Sequence, residues 1–397
     1  MSQTILTFTN LFPSAIAPVH GVFVRERMSR LLLRKPEWRW QVVSPIPEVL
    51  WFLRSAANRR LHASPATEIV SGVSVHHPRY RHWPGFSMRR QADAMVRGAE
   101  RTVREICRDR PVVIDAHYLW PDGVAAAMLA RRIGVPYVLT ARGTDVNLIA
   151  NDPICQGRIA EAAQGAMACF AVSGDLCDRF AAATGMPRSR IHEVRNGVDL
   201  ARFSPGDAAK ARAKLGLPAE GRLLLGVGRL VEAKGFLSAA RVLRSLPMDV
   251  HLVLVGDGPQ RAAIAKLCPD RVHLLGVRSP EEVAIAYRAC DLFVLPTHRE
   301  GWPNVVTEAL ASGLRVVASA VGGIPEIFGG FAPADGSLGA LIPPQNDAAL
   351  LAALEQMLLV PGDRQLVRAF AERWSWDAPL QILSDTFERG FESGGAR

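Results

Sequence analysis

Short apolar runs alternate with helical patterns along the whole chain, and the same alternation occurs in both halves. Continuous apolar runs of about four to eight residues are typical of strands that are buried on both faces. Helical patterns between such runs indicate parallel sheets whose connections are helices. The predicted strands are 5–8, 40–44, 112–116, 137–141, 169–173, 223–228, 250–256, 291–295 and 315–319, and the predicted helices include 90–108, 123–132, 236–246 and 280–289. The pattern predicts an α/β fold with two parallel sheets.

The break between the two sheets is predicted near residue 200. The segment RNGVDLARFSPGD, residues 195–207, combines an Asn-Gly turn with a Pro-Gly pair. We therefore predict a first domain over residues 1–199 and a second domain over residues 200–370. The tail, residues 371–397, carries an aromatic-rich helical pattern and forms a separate C-terminal element.

Composition restricts the class and the location of the protein. The chain has 397 residues, enough for two full cores, and it contains no run of about 18 apolar residues that would span a membrane. Its first residues, MSQTILTFTN, lack the basic start and long apolar stretch of a signal peptide. The six cysteines are irregularly spaced and form no Cys-x-x-Cys pair, so we expect buried free thiols. The predicted location is the cytoplasm.

The excess positive charge lies in the first half. Residues 1–200 contain 26 Lys and Arg against 17 Asp and Glu, a difference of +9, whereas residues 201–397 contain 21 against 21. A basic balance confined to one half indicates that this half faces an anionic partner. Segment 51–90 interleaves basic and aromatic residues, which suits an anionic membrane surface. These residues are Arg54, Arg59, Arg60, Arg79, Arg81, Arg89 and Arg90 with Trp51, Phe52, Tyr80, Trp83 and Phe86. The alternative is a solvated basic face with buried aromatic rings.

The segment REGWPNVVTEAL, residues 299–310, is the most informative in the chain. It follows the apolar run 291–297, and Gly301 and Pro303 predict a tight turn into a helix, with Pro303 at a first helical position. Backbone N–H groups at such a helix start can bind a phosphate. From Asn304 to Glu308 a helix rises only about 6 Å, the length of a pyrophosphate. Glu300 and Glu308 could therefore hold a sugar and a ribose at the two ends of a nucleotide sugar.

Two cations follow the first strand of the second domain. Arg229 and Lys234 lie five residues apart after strand 223–228, so both can project into one site. Fixed cations stabilise the negative charge that develops on a departing diphosphate. No Asp-x-Asp triplet is present in the sequence, so we expect neutralisation without a metal. Taken alone, Arg229 and Lys234 would be interpreted more simply as two solvated basic residues. Because the sequence also contains Glu300 and Glu308, we favour the role of binding the diphosphate.

In the first domain, His117 ends the strand 112–116, at the sheet edge where open α/β sheets bind ligands. A packed histidine is an equally good interpretation. Asp145, in the segment RGTD, is the carboxylate that we expect to face an acceptor.

These motifs resemble those of retaining glycosyltransferases of family 4, which have the GT-B fold. The segment 300–308 resembles the family's two glutamates separated by seven residues. Segment 223–235 resembles its strand followed by an arginine and a lysine, 253–261 resembles its second glycine loop, and 321–327 resembles its loop after the next strand. Upstream, 18–24, 115–123, 140–147 and 195–203 match family landmarks in order. The resemblance covers nearly the whole chain. It implies two Rossmann-like domains facing across a cleft, with the last helix returning to the first domain.

The resemblance also implies roles for particular residues. Arg229, Lys234 and Glu300 would be catalytic. At Gly21, the absence of a side chain would let the loop approach the donor phosphates. An equal alternative is that this loop needs glycine only for its backbone angle. The donor-binding residues would be Gly21, Gly258, Val277, Arg278, Gly301, Trp302, Pro303, Asn304, Val305 and Glu308. The acceptor side would contain His117, Arg142 and Asp145. The GDGP turn at 256–259 is also compatible with a plain strand-to-helix turn.

The implied reaction transfers a sugar from a nucleotide diphosphate sugar to a hydroxyl of a saccharide or lipid-linked acceptor, with no cofactor and no metal. Cell-surface polysaccharide synthesis is the implied setting, with peripheral binding to the inner face of the plasma membrane as a hypothesis. Many family members carry His-Gly-x-Asp where this chain has Arg142-Gly143-Thr144-Asp145. Arginine stays protonated near neutral pH, so it cannot act as a base there. A sugar-nucleotide epimerase and a non-catalytic sugar-nucleotide-binding scaffold remain as alternatives; a nucleic-acid partner is not expected.

Overall fold

The computed structural model describes residues 2–18, 20–49, 59, 61–81, 88–108, 110–147, 149–329 and 336–394. The chain divides into two compact units, one of residues 1–196 with 377–397 and the other of residues 197–376. The sequence placed these boundaries at 199 and 370. Each unit has its own parallel sheet, which confirms the predicted fold class.

The first unit is built on an eight-stranded sheet in the order β10-β9-β8-β7-β1-β2-β5-β4. All its pairs are parallel except β4 with β5, and β3 pairs with β6 in a separate short ladder. The strands are β1 (Thr4–Phe8), β2 (Arg39–Val43), β3 (Ile46–Glu48), β4 (Thr67–Val70), β5 (Val73–His76), β6 (Arg79–Arg81), β7 (Val112–His117), β8 (Tyr137–Ala141), β9 (Ala168–Ala171) and β10 (Ile191–Glu193). The helices of this unit are Val22–Arg34, Gln91–Cys107, Val124–Ile133, Thr144–Asn147, Pro153–Gly165, Gly174–Thr184 and Asp377–Gly394.

The core of the first unit lies on its central strands. Every residue of β1, β7 and β8 is buried, as continuous apolar runs require when helices cover both faces of a sheet. The C-terminal helix Asp377–Gly394 belongs to this unit: Trp38 packs edge-on against Phe387 and Phe391, and Lys35 forms an ion pair with Glu388.

The second unit has a six-stranded sheet in which all pairs are parallel, in the order β13-β12-β11-β14-β15-β16. The strands are β11 (Arg222–Val227), β12 (Val250–Val255), β13 (Val272–Gly276), β14 (Leu292–Leu295), β15 (Arg315–Ser319) and β16 (Gly339–Ile342). The helices are Ala208–Leu215, Phe236–Val242, Arg261–Leu267, Pro280–Ala289, Asn304–Ala311, Ile324–Ile327, Asp347–Leu359 and Arg364–Ala371. Counted within the unit, this order is 3-2-1-4-5-6, the strand order of dinucleotide-binding Rossmann domains.

Among the described residues, no helix has the length and apolar character needed to cross a bilayer. The six cysteines are all free thiols; five are buried, and Cys107 is half-buried.

Candidate functional site

In the second unit, the predicted donor residues meet at the point where the strand order reverses. β11 and β14 are neighbours in the sheet although β12 and β13 lie between them in sequence. The connections that leave two such strands diverge, and ligands of open α/β sheets bind in the crevice that this opens at the carboxyl ends. Lys234 lies on the connection after β11, and Glu300 lies on the connection after β14.

The two connections are bound to each other by their backbones. The carbonyl of Ala233 accepts hydrogen bonds from the His298 N–H at 2.9 Å and from the Thr297 hydroxyl at 2.8 Å. Gly235 has a φ of +71°, and a Cβ there would lie 2.0 Å from the carbonyl oxygen of Pro296. Only glycine fits this close approach. The positions of Lys234 and Glu300 are therefore fixed by main-chain contacts.

Lys234 and Glu300 form an ion pair. The Lys234 Nζ donates to Glu300 Oε1 at 2.5 Å, and the Thr297 hydroxyl oxygen lies 3.2 Å from the same oxygen. The side chains are 26% and 11% exposed. A cation and a carboxylate thus lie side by side in the protein. Such an arrangement can bind a sugar phosphate, with the ammonium on phosphate oxygens and the carboxylate on sugar hydroxyls.

The helix Asn304–Ala311 begins one residue later than the sequence indicates. Pro303 is the N-cap rather than a first helical residue, and no side chain caps the helix. An uncapped helix start presents backbone N–H groups and the positive end of the helix dipole, which favours an anion. The predicted helix start is thereby corrected by one position, and its proposed use as a phosphate site is compatible with the geometry.

Glu308 is held by a buried tyrosine that the sequence did not single out. The Tyr287 hydroxyl contacts Glu308 Oε2 at 3.1 Å and donates to the Val305 carbonyl at 3.0 Å. Burial, and then the Glu308 charge, raise the pKa of Tyr287 well above its usual value, so its hydroxyl keeps its proton. The carboxylate of Glu308 is half-buried and positioned on the helix.

The remaining predicted donor residues differ in accessibility. Arg229 is exposed beside the β11 connection, and Val277 is 58% exposed. Arg278 is paired with Glu282 at 3.0 Å. Trp302 is buried and packs edge-on against Trp374 at 5.2 Å between ring centroids, so its packing supports the loop.

Two of the glycines that were predicted to bind the donor lie where two loops contact each other. A Cβ on Gly258 would lie 2.5 Å from the Leu230 carbonyl oxygen, so the GDGP turn packs tightly on the β11 connection. The carbonyl of Gly301 accepts the Gly323 N–H at 3.0 Å, which ties the loop after β14 to the loop after β15.

In the first unit, the strand order reverses between β1 and β7, and the predicted residues of this unit lie near that point. Gly21 caps the helix Val22–Arg34 with a φ of +65°, and a Cβ there would lie 2.1 Å from the Leu11 carbonyl oxygen. The structure thus shows a strict backbone requirement for glycine, which is one of the two interpretations of Gly21 given by the sequence.

His117 is fully buried and both its ring nitrogens face neighbours. Nε2 lies 2.7 Å from Asp115 Oδ2, and Nδ1 lies 2.6 Å from a guanidinium nitrogen of Arg142. Burial lowers the pKa of His117 to about 3, against the raising effect of Asp115, so the imidazole is neutral. His117 has no exposed surface and contacts Arg142, which agrees with the packed interpretation given by the sequence; its place on the acceptor side stays a prediction.

Arg27 completes this cluster and was missed from the sequence. Its guanidinium is fully buried and lies 3.4 Å from Asp115 Oδ1 and 3.1 Å from the Thr140 hydroxyl. A signal was present: Val24, Met28 and Leu31 form the buried stripe of the same helix, and Arg27 lies on it at helical spacing. An arginine in the middle of an apolar stripe indicates a buried partner.

Asp145 is buried, and its carboxylate accepts hydrogen bonds from the backbone. Its carboxylate accepts the N–H groups of Leu119 at 2.8 Å, Gly143 at 2.7 Å and Arg142 at 3.1 Å. These bonds fix the loop that carries Arg142. The oxygens of Asp145 therefore have a structural role in binding backbone N–H groups, and its contact with an acceptor stays a prediction.

Asp122 is a second buried carboxyl that the sequence did not select. It accepts the backbone N–H of Asn10 at 2.6 Å, and its other oxygen has no hydrogen-bond partner among the described residues. Burial raises the pKa of Asp122 to about 8. At neutral pH this carboxyl is mostly protonated.

The structure changes the predicted basic and aromatic surface of segment 51–90. Tyr80 is buried and accepts a hydrogen bond from Gln91, and Arg79 donates to the carbonyls of His62 and Ser64. Arg89 pairs with Asp152 at 3.0 Å. Arg81 and Arg90 are exposed, and Arg59 is exposed as well. Trp51, Phe52, Arg54, Arg60, Trp83 and Phe86 lie outside the described residues.

Within the part of the chain that the structure describes, no group of three or more His, Cys, Asp or Glu side chains has an arrangement that could hold a metal ion.

The fold and the ordered motifs define a two-domain glycosyltransferase of the GT-B class. Residues 207–374 match the family of glycosyl transferases group 1, and residues 48–202 match glycosyltransferase family 4. A protein of Bacillus subtilis (strain 168) named for teichuronic acid biosynthesis, TuaC, is 33% identical over 333 residues, which cover 82% of this chain and 83% of that protein. The chain belongs to this glycosyltransferase family.

Solved structures agree on the fold. Sucrose-phosphate synthase (tll1590) from Thermosynechococcus elongatus superposes with a TM-score of 0.75 at 20% identity, covering 99% of this chain and all of that one. Anabaena Alr3699/HepE in complex with UDP-glucose superposes with a TM-score of 0.70 at 20% identity, covering 98% of this chain and 99% of that one.

Proposed function

We propose that this protein is a retaining glycosyltransferase that moves a sugar from a nucleotide diphosphate sugar to a hydroxyl of a saccharide acceptor. The observation that carries the proposal is the Lys234–Glu300 ion pair at the strand-order reversal of the second unit. It joins a phosphate-binding cation and a hydroxyl-binding carboxylate beside an uncapped helix start. The Anabaena neighbour binds UDP-glucose, which makes UDP-sugars the first donors to test.

In the proposed reaction, the bond between the sugar's anomeric carbon and the diphosphate oxygen breaks, and a bond from that carbon to the acceptor oxygen forms. The acceptor's hydroxyl proton passes to the leaving phosphate oxygen on the same face, so the anomeric configuration is retained. Arg229 and Lys234 stabilise the departing diphosphate, Glu300 binds the sugar, and Glu308 binds the ribose. Fixed charges aimed at developing charge lower the barrier more than they stabilise the bound substrate.

The acceptor is proposed to bind to the first unit and to be lipid-linked, as in the synthesis of a cell-surface polysaccharide. Two observations support this part. The relative from Bacillus subtilis is named for teichuronic acid biosynthesis. The excess of basic residues lies in the first half of the sequence, where Arg81 and Arg90 are exposed. Peripheral binding to the inner face of the plasma membrane would bring the enzyme to such an acceptor.

The experiment is an assay of the pure protein with UDP-, GDP- and ADP-sugars and a mixture of saccharide acceptors, in excess chelator. We expect release of nucleoside diphosphate, a glycoside product with the donor's anomeric configuration by NMR, and no loss of activity in chelator. A donor-only incubation distinguishes the epimerase, which would produce an epimer without an acceptor. Nucleotide-sugar binding without any transfer would identify a scaffold and contradict the proposal.

A further inference from the structure

Among the residues that the structure describes, no carboxylate pairs with the guanidinium of Arg142. Its guanidinium contacts Nδ1 of His117 at 2.6 Å, Oδ1 of Asn196 at 3.3 Å and the face of the Phe23 ring at 4.8 Å. All three partners are uncharged. Its Nε is buried and has no hydrogen-bond partner among the described residues. The neighbouring Arg27, in contrast, is paired with Asp115.

The contacts of His117 fix the direction of this guanidinium. Arginine has only hydrogen-bond donors, so Nδ1 of His117, which lies 2.6 Å from Arg142, accepts and the imidazole proton lies on Nε2. A guanidinium nitrogen of Arg27 also lies 3.3 Å from Nε2, but the Asp115 oxygen is closer, at 2.7 Å. Nε2 then donates to Asp115 Oδ2 at 2.7 Å, while Asp115 Oδ1 accepts from Arg27. Arg27, Asp115 and His117 are fully buried. They form a rigid chain of hydrogen bonds that ends on Arg142.

We propose that Arg142 binds an oxyanion of the substrate held by the first unit, a carboxylate or a phosphoryl group, and that Arg27, Asp115 and His117 are its positioning residues. This rests on the proposed function and deepens it, because it makes the substrate of the first unit anionic. The planar fork of a guanidinium matches both oxyanions and is specific when its orientation is fixed.

The electrostatics of the cluster support an anionic ligand. Burial, and then the charge of Arg27, lower the pKa of Arg142 well below its usual value. The protonated guanidinium is therefore held in an unfavourable environment, and Asp145, whose oxygens accept three backbone N–H groups, does not pair with it. An oxyanion at Arg142 would supply the missing negative charge.

The first test measures binding without requiring transfer. Dissociation constants for sodium glucuronate, glucose 1-phosphate and uncharged glucose are measured by ligand-observed NMR on the full chain, on Arg142→Gln, and on Arg131→Gln as a control. Arg131 is an arginine of the same unit whose side chain is half exposed and paired with Glu161. We expect Arg142→Gln to weaken at least one anionic probe by about tenfold or more and to leave glucose unchanged, the scale of one charge-assisted contact.

The two anionic probes distinguish the source of the oxyanion. If Arg142→Gln weakens the binding of glucuronate alone, the group that Arg142 binds is a carboxylate. If it weakens the binding of glucose 1-phosphate alone, that group is a phosphoryl group. Two results would overturn the inference. The first is that Arg142→Gln binds both anions as tightly as the parent protein does, and the second is that the parent protein binds the anions no more tightly than glucose. Failure of the glycosyltransferase proposal is a separate result, namely no transfer by the unaltered protein, and it would leave this comparison intact.

The second test separates positioning from packing at His117. Asparagine places its side-chain oxygen near the position of Nδ1, so His117→Asn keeps an acceptor for Arg142. Glutamine reaches the position of Nε2, so His117→Gln keeps the contact with Asp115 but loses the acceptor. We expect His117→Gln to weaken the same anionic probe nearly as much as Arg142→Gln, and His117→Asn to bind it within about threefold of the parent protein. An equal loss of anion binding in both His117 variants would show that His117 has only a packing role. Arg142→Gln, at a partly exposed position, would still test whether Arg142 binds the anion.

Discussion

Lys234 and Glu300 are 66 residues apart in sequence, yet their side chains form an ion pair at 2.5 Å. The pair exists because β11 and β14 are neighbours in the sheet and because backbone hydrogen bonds join the two connections. A binding site at this place needs little reorganisation when a ligand arrives, which is the condition under which fixed charges contribute most to catalysis.

We predict that Lys234→Ala and Arg229→Ala each lower turnover by about a hundredfold or more, the usual scale for removing one preorganised charge. The measurement is kcat at a saturating donor concentration. Lys210→Ala is a suitable control, because Lys210 is an exposed lysine of the same unit on the helix Ala208–Leu215. Near-normal turnover of Lys234→Ala would show that diphosphate stabilisation is assigned to the wrong residue.

We predict that Glu308→Ala acts mainly on donor binding. The carboxylate is assigned to the ribose, away from the bond that breaks, so its loss should raise the donor KM about tenfold or more while kcat falls much less. Tyr287→Phe removes only the hydroxyl that contacts Glu308, and it should raise the same KM by a smaller factor. Steady-state kinetics with varied donor decide the matter; a fall in kcat at unchanged KM would assign Glu308 to the transition state instead.

Asp122 makes folding stability depend on pH. An unfolded aspartate loses its proton near pH 4, whereas burial raises the folded pKa of Asp122 to about 8. The unfolded chain binds fewer protons between these values, so this group lowers the free energy of unfolding as pH rises from about 4 to about 8. Asp122→Asn keeps an oxygen for the Asn10 N–H and removes the titration. We predict that the variant gains stability relative to the parent protein across this window, on the order of a few kcal/mol at pH 8.

Urea unfolding at pH 5, 6.5 and 8 measures this difference, with Asp178→Asn, at an exposed aspartate of the same unit, as the control. A stability difference that does not grow with pH would mean that Asp122 is ionised in the folded protein.

The exposed arginines of the first unit test membrane binding. If the basic surface docks on an anionic leaflet, the protein should sediment with anionic vesicles and not with neutral ones, and binding should weaken with salt because the charges are screened. Arg81→Ser with Arg90→Ser should reduce binding, at about 1 kcal/mol per arginine. Arg79→Ser is expected to destabilise the fold instead, since Arg79 bonds to two backbone carbonyls. Equal binding to both kinds of vesicle would end the membrane hypothesis.

The sequence predicted those parts of the fold that depend on local pattern. The nine strand predictions all correspond to strands, because a strand buried on both faces appears as an uninterrupted apolar run. It missed β4 and β5, a hairpin at the edge of the first sheet with mostly exposed or half-buried residues, and the three-residue strands β3, β6 and β10. It also missed β13 and β16, the two edge strands of the second sheet. Short or edge strands bury too few side chains to leave a periodic signal.

The candidate site could be predicted only in part, for a related reason. Recognisable motifs contain Glu300, Glu308, Arg229 and Lys234. The pairing of Lys234 with Glu300, however, depends on the order of strands in the sheet, which local sequence does not specify. Arg27 shows the same limit. Its partner Asp115 is 88 residues away, so the sequence reveals only that an arginine lies on an apolar helix face.

The most direct test of the central claim is donor binding by the second unit's site. The melting temperature of the full chain is measured with a panel of UDP-, GDP- and ADP-sugars, and the donor that stabilises it is then titrated by calorimetry into the parent protein, Lys234→Ala and Lys210→Ala. A bound ligand stabilises the folded protein in proportion to the logarithm of its concentration over Kd. We predict that one class of nucleotide sugar raises the melting temperature and that Lys234→Ala, but not Lys210→Ala, weakens its binding by about tenfold or more. Stabilisation by no nucleotide sugar, or binding that Lys234→Ala leaves unchanged, would contradict it.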